Sequence, residues 1–293
     1  MPSRRGLAAG LLLGAALDAV LADPRRGHPV AAFGAAASRA EAALWADSRS
    51  RGITMVTVCL APVVAAGLAT GQLATGQPAA GQPATGQLAS GRRANGPLAR
   101  GRLPASVAVT ALATWAVLGG TSLASEAQAI GRLLEDGDLA AARRRLPALC
   151  GRDPDRLDAA GLARATVESV AENTSDAVVA PLLWGAVFGL PGLLGYRAVN
   201  TLDAMIGHHS PRYERFGWAA ARLDDAANLV PARVTGLLAA GLAPAVGGSP
   251  RQALRMLRRD GGNHPSPNAG RCEAAFAGSL AVRLGGQNAY HGR

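Results

Sequence analysis

The sequence predicts an all-α, polytopic integral membrane protein with about five transmembrane or re-entrant helices and helical loops on the cytoplasmic side. Three observations carry this. Of 293 residues 49 % are hydrophobic, only 17 % are charged, and the mean hydropathy is +0.14, a balance ordinary for a multi-span chain and unusual for a soluble domain. Several apolar runs approach the roughly 20 residues that cross a bilayer as a helix. Lastly, a charged helical face at 164–176 leads straight into an apolar block at 178–199, whereas soluble helices set charge opposite an apolar stripe.

The first apolar run, Gly6 to Ala22, is interrupted by Asp18 and predicts a marginal or tilted span. It leads into the turn Asp23-Pro24-Arg25-Arg26-Gly27-His28-Pro29-Val30, which argues against a cleavable signal peptide. Gly52 to Thr70 carries no charge and reads as a clean span. From Gly71 to Ala105 runs a pentapeptide repeat beginning GQLAT, GQPAA, GQPAT. Glycine every fifth residue with scattered prolines sustains neither helix nor ladder and has the wrong period for collagen. A disordered tether inserted into one domain spanning 1–293 is therefore expected.

A further span is expected from Pro104 to Leu123, then helices with solvated charges from Ser125 to Asp176. Here Arg164, Glu168, Glu172 and Asp176 recur every four residues and so share a helix face, with Asp158 placed to cap that helix. Val178 to Val199 has membrane length but is broken by Gly189-Leu190-Pro191-Gly192; such a break is tolerated where the freed backbone faces protein or a water-filled cavity. Arg197, Asn200 and Asp203 follow, then His208, His209, Asp224, Asp225 and Asn228. The last long apolar run is Leu229 to Gly248, and an arginine-rich tail follows it, with a short helix around Glu273 to Leu284.

Composition also excludes. All thirty basic residues are arginine, which rules out a Schiff-base lysine for pyridoxal phosphate and the lysine of a Walker-type phosphate loop. The net charge of +10 favours anionic partners such as acidic lipid or phosphorylated small molecules. Aromatics, at 4 %, are too sparse for base-stacking platforms, so no nucleic-acid partner is expected. Cys59, Cys150 and Cys272 are scattered and suggest neither a disulfide framework nor a structural metal. With five crossings, the loops at 23–51, 124–177 and 249–293 share one side and hold nineteen of the arginines, which makes that side cytoplasmic. That count strands Asp203, Asp224 and Asp225 on the far side from His28, Glu172 and His264. Either these are two separate groups, or one of the last two apolar runs is re-entrant.

Five motifs now stand in order: Asp23-Pro24 with His28-Pro29-Val30; the row from Arg164 to Trp184; Asn200-Thr201-Leu202-Asp203; Asp224-Asp225 with Asn228, Pro231, Ala232 and Arg233; and His264-Pro265-Ser266-Pro267-Asn268-Ala269-Gly270. Together they closely resemble the cobalamin-biosynthesis family called CobD or CbiB, the adenosylcobinamide-phosphate synthases. The resemblance covers nearly the whole chain except the repeat. It departs at Gly270-Arg271-Cys272-Glu273, where the family carries an aromatic residue.

What the resemblance implies is a multi-pass enzyme of the bacterial inner membrane. Its substrates would be adenosylcobyric acid and (R)-1-amino-2-propanol O-phosphate (or free aminopropanol), joined as an amide to give adenosylcobinamide phosphate. ATP and Mg²⁺ are expected from the resemblance alone, as is contact with other corrin-pathway enzymes. Mg²⁺ prefers one or two carboxylates with phosphate oxygens and water, for which Asp176, Asp224 and Asp225 are the candidates. The amine must lose a proton before attack; His28, His264, Glu168 and Glu172 are the catalytic candidates. Arg25 and Arg164 suit the substrate phosphate, with Asn173, Asn200, Asp203, Ser266 and Asn268 as further substrate contacts. The alternatives are a membrane transporter or a non-catalytic scaffold for corrin enzymes. Polar motifs lying in loops rather than mid-span speak against transport.

Overall fold

The structure, a computed structural model, describes residues 3–23, 27–75 and 104–285, and among these every regular element is helical. Most of the pentapeptide repeat lies outside the described residues. Its first unit, Gly71–Thr75, does not begin a tether but completes the third helix, because the repeat's first proline arrives only at Pro78.

Helix α1 (Arg4–Leu21) starts where the Ser3 hydroxyl accepts the Gly6 N–H at 3.1 Å, a Ser N-cap. It runs parallel to α4 (Ala105–Val117) at very short range. A Cβ at Gly10 or Gly14 would lie 2.6 and 2.4 Å from Thr110 and Thr114. Small residues four apart let two backbones meet where lipid offers no hydrophobic drive. α4 stops at Leu118, and α5 (Gly120–Glu135) restarts under a cap donated by another helix: Asp18 Oδ2 accepts the Thr121 N–H at 3.1 Å. The acid that interrupts the first apolar run is thus a buried cap.

Helix α2 (Pro29–Leu44) leads to α3 (Arg49–Thr75). Between α5 and α7 (Ala159–Thr174), with α6 (Leu139–Arg145) alongside, lies a separate core of Ile130, Ala142, Leu146, Leu162 and Ala165. Each of its large side chains gains about 1.5–3 kcal/mol by leaving water. Asp158 caps α7 as the sequence predicts, its Oδ1 accepting the Gly161 N–H at 2.8 Å.

The apolar block at 178–199 is two helices, not one. α8 (Ala180–Phe188) and α9 (Leu190–Leu202) meet at Gly189, whose φ of +68° suits only glycine. The two helices form a hairpin that turns the chain back at Gly189. Segments that the five-crossing count assigned to opposite sides touch one another. The Trp45 Nε1–H donates to the Arg212 carbonyl at 3.3 Å, the Arg212 guanidinium stacks 4.6 Å over that indole, and Arg49 lies over Trp218 at 5.2 Å.

Among the described residues three stretches are long and apolar enough to cross a membrane: 49–74, 105–135 and 218–246. The last begins eleven residues before the predicted run, since α10 (Trp218–Leu242) takes Asp224 and Asp225 into its first turns. α11 (Pro250–Asp260) folds back along α10, and α12 (Ala269–Leu280) follows it. The Ser279 hydroxyl donates to the Ala239 carbonyl at 3.1 Å, and a Cβ at Gly278 would fall 2.6 Å from Ala253. α12 starts four residues ahead of the predicted helix.

Candidate active site

The helical row on α7 runs into a π-turn, Ser175–Val179, and α9 ends in a second one, Asp203–Gly207. Single π-turns inside helices gather at functional sites, because the extra residue re-aims the side chains around it. Each carries an acid, Asp176 and Asp203. Because α8 and α9 form a hairpin, both π-turns lie at its foot. There they meet the start of α10 and the loop before α12 around a cavity of about 730 Å³.

Glu172, Asp176, Asp203, Asp224 and Asp225 line this cavity, together with His264, Ser266 and Asn268. Five acids and no arginine appear among its described lining residues. A hydrogen-bond network fixes the deep wall. The Tyr196 hydroxyl donates to Asn228 Oδ1 at 2.9 Å, and the Asn228 amide to Asp224 Oδ2 at 2.9 Å. The Asn200 amide bridges Asp224 and Asp176 at 3.5 and 3.4 Å, while its oxygen accepts from Arg197 at 3.4 Å.

The charges here are enclosed and crowded. Glu172 touches the solvent of the cavity yet is ringed by protein, and this enclosure, then Glu273 and Asp224, raises its pKa against the opposing pull of His264. Asp176 is raised well above the usual carboxylate range by burial, then by Asp224, Glu172 and Asp203. Asp203 is pushed up to about 7 by burial, then by Asp224 and Asp225. Each acid penalises the next, as expected when like charges share a low-dielectric site.

His264 approaches from the opposite wall. Its Nδ1 accepts the Ser266 N–H at 3.0 Å, and Nε2 faces Glu273 Oε1 at 4.0 Å. With the Nδ1 lone pair engaged, a neutral ring carries its hydrogen on Nε2, so His264 presents an N–H rather than a free lone pair. The Ser266 hydroxyl in turn accepts the N–H groups of Asn268 and Ala269 at 3.3 and 3.2 Å, opening α12. The Asn268 amide donates to the Asp225 carbonyl at 2.8 Å, while its buried Oδ1 has no hydrogen-bond partner among the described residues.

Other candidates lie elsewhere. Glu168, one turn before Glu172, is buried in an ion pair with Arg152 and does not line the cavity. Asn173 is folded back onto Ser169, donating to its carbonyl at 2.9 Å, and Arg164 is not among the lining residues. His28 caps α2, its Nδ1 accepting the Val30 N–H at 3.2 Å and its Nε2 3.9 Å from Asp23; it too is outside the cavity wall. Arg25 lies outside the described residues.

Asn228, Cys272 and Glu273 were given no role from the sequence. Asn228 follows Asp224 by four, so helix geometry alone sets the two side by side. Cys272 lines the cavity, its thiol pushed up to about 12 mainly by burial. Glu273, behind His264, is pushed up to about 7 by burial and by Glu168. An acid in the first turn of a helix reads as ordinary dipole compensation, and only the fold brings His264 to it.

Among the described residues no three His, Cys, Asp or Glu side chains are placed to hold an ion by themselves. The acids nonetheless fit a hard cation whose shell is completed from elsewhere. They are oxygen donors, enclosed, mutually repelling and uncompensated by any lining arginine.

These features define a helical protein of membrane character with an acidic cavity at the foot of a helical hairpin. The chain belongs to the CobD/CbiB family: it matches the family described as CobD/Cbib protein over residues 11–293. It is 54 % identical over 287 residues to the cobalamin biosynthesis protein CobD of Mycobacterium tuberculosis, covering 97 % of this chain and 82 % of that one. Proteins of the same name from Rhodobacter capsulatus (50 % over 194 residues, 65 % and 60 % of the two chains) and Geobacter metallireducens (52 % over 189 residues, 64 % and 59 %) are also similar. No solved structure matches.

Proposed function

We propose that this protein is an enzyme of cobalamin biosynthesis that joins the free carboxyl of adenosylcobyric acid to the amine of (R)-1-amino-2-propanol O-phosphate, with ATP and Mg²⁺, at the acidic cavity. Family membership supports the pathway. The observation that carries the site is the convergence of Glu172, Asp176, Asp203, Asp224 and Asp225 on one cavity with no arginine in its described wall. Such a wall attracts a metal cation or an ammonium group.

Asp176 and Asp224, held a fixed distance apart by the Asn200 amide, would hold Mg²⁺ with Asp225, leaving positions for phosphate oxygens and water. Bound Mg²⁺ and ATP supply the carboxyl activation that amide formation needs. The incoming amine arrives as an ammonium ion. Asp203, with its pKa near 7, accepts one N–H proton from it, and the freed lone pair attacks the activated carboxyl carbon; the bond from that carbon to the phosphate-bearing oxygen breaks, the phosphate leaves, and the nitrogen gives its extra proton to water. Glu172 is the neighbouring acid that draws the ammonium in. The His264 Nε2–H donates to an oxygen of the substrate, a change from the part of base considered from sequence alone. The unpartnered Asn268 Oδ1 accepts from a corrin side-chain amide. The cavity would open to the cytoplasm of a bacterial cell at its inner membrane.

The test is direct. Membranes containing the protein are incubated with both substrates, ATP and Mg²⁺, and the product is followed by mass. The mass of the amide is expected, dependent on each component; no amide under any combination would sink the assignment and leave the scaffold or transporter reading.

A further inference from the structure

We propose that α11 carries a docking surface for anionic lipid head groups, a function separate from the acidic cavity and independent of the reaction assigned to it. Helix α11 buries Ala253 and Leu257 and turns Arg251, Arg255, Arg258 and Arg259 outward. These four arginines and Leu254 surround a shallow recess of about 580 Å³. Among the described residues only Arg259 has an acidic partner, Asp260, at 2.7 Å.

The row is costly as it stands. Arg251 and Arg255, and Arg255 and Arg259, are like charges four apart on a helix, a spacing that destabilises by a few tenths of a kcal/mol per pair. Arg251 also sits in the first turn, where the helix dipole disfavours a cation. A polyanionic partner removes both penalties. Guanidinium groups match phosphate oxygens in planar, bidentate fashion.

Its surroundings decide which polyanion. α11 begins four residues after Val246, the end of the 218–246 stretch long and apolar enough to cross a membrane. It folds back along that stretch, with Leu257 against Gly236. Leu237, Leu238, Leu242 and Val246 of the same stretch are 57, 50, 66 and 60 % exposed. The exposed apolar side chains are what a lipid-facing span presents, and arginines just beyond the end of such a span are drawn to anionic head groups at the membrane surface.

Hydrogen–deuterium exchange on the full chain tests this. The protein is placed in nanodiscs of phosphatidylcholine, with or without phosphatidylglycerol, and the amides of 250–260 are followed. Phosphatidylglycerol is expected to slow their exchange about tenfold. High salt should abolish the protection, as should the triple change Arg251→Gln, Arg255→Gln, Arg258→Gln, which leaves the buried face intact. Equal exchange in the two lipids overturns the proposal. So does equal protection by inorganic pyrophosphate in pure phosphatidylcholine, which would make the partner a soluble phosphate compound.

Discussion

Five carboxylates meet in the cavity at the foot of α8 and α9, and four arginines share the outer face of α11. Both regions gather charges of one sign, but their surroundings differ. The arginines are exposed, so bulk water and salt screen them and their repulsion costs little. The acids are enclosed by π-turns, α10 and the loop before α12, where repulsion is screened far less. Their response is visible in the raised Asp176 and Asp203. Like charge on a surface marks something that can be drawn in from solution. Enclosed like charge, held in place by Asn200 and Asn228, is what supports the proposed cation site.

The contrast can be broken most sharply inside the cavity. Asp176→Asn or Asp224→Asn should lower the rate of amide formation by at least about 100-fold, because each removes a charge meant to neutralise the metal or the ammonium. Steady-state assays at saturating Mg²⁺ would show it, and a change under threefold would separate the cavity from the chemistry. Next comes Glu168, on the same helix face but paired with Arg152. Glu168→Gln removes the charge of one member of a buried ion pair, a loss of about 3–5 kcal/mol. Thermal unfolding in detergent should report the loss, while the protein that remains folded turns over at nearly the wild-type rate.

Acidity should act on rate and on stability in opposite senses. If Asp203 takes the proton, the rate rises with pH through about 7 and levels above it; a flat profile there would remove Asp203 from the role. For stability the sign is reversed. Glu273 has a folded-state pKa near 7, above its ordinary 4.5, so its contribution is full below about 4.5 and is lost as pH rises through 7. Glu273→Gln should flatten that part of the stability curve. The smallest effect belongs to α11, where the triple arginine change should leave amide formation within about threefold of wild type and raise helix stability by a few tenths of a kcal/mol.

Much of the site was legible because chemistry-bearing residues cluster in short motifs. The four-residue spacing of Glu172 and Asp176, the Asp224-Asp225 pair and the His264–Asn268 loop could all be read from the chain, and the structure sets them around one cavity. Spacing could not separate Glu168 from Glu172. They share a helix face, and only the approach of Arg152 from the preceding loop makes one a buried ion pair. The path of the chain was left open for a related reason. Hydropathy counts apolar residues without regard to direction, and 178–199 has the length of a span. Its reversal rests on one glycine with positive φ, which composition marks only as a break. Asp18 misled in the same manner: as an interruption it weakened a helix on paper, while in three dimensions it caps the restart of α5.

The claim that the acidic cavity is the catalytic centre is tested most directly by one comparison of initial rates. Wild type, Asp176→Asn and the α11 triple variant would be assayed side by side in the same membranes, with adenosylcobyric acid, aminopropanol phosphate, ATP and Mg²⁺. The expected outcome is amide formation by wild type and the arginine variant at similar rates, and a loss of about 100-fold or more in Asp176→Asn. Wild-type rates in Asp176→Asn, from protein present at wild-type levels, would contradict it.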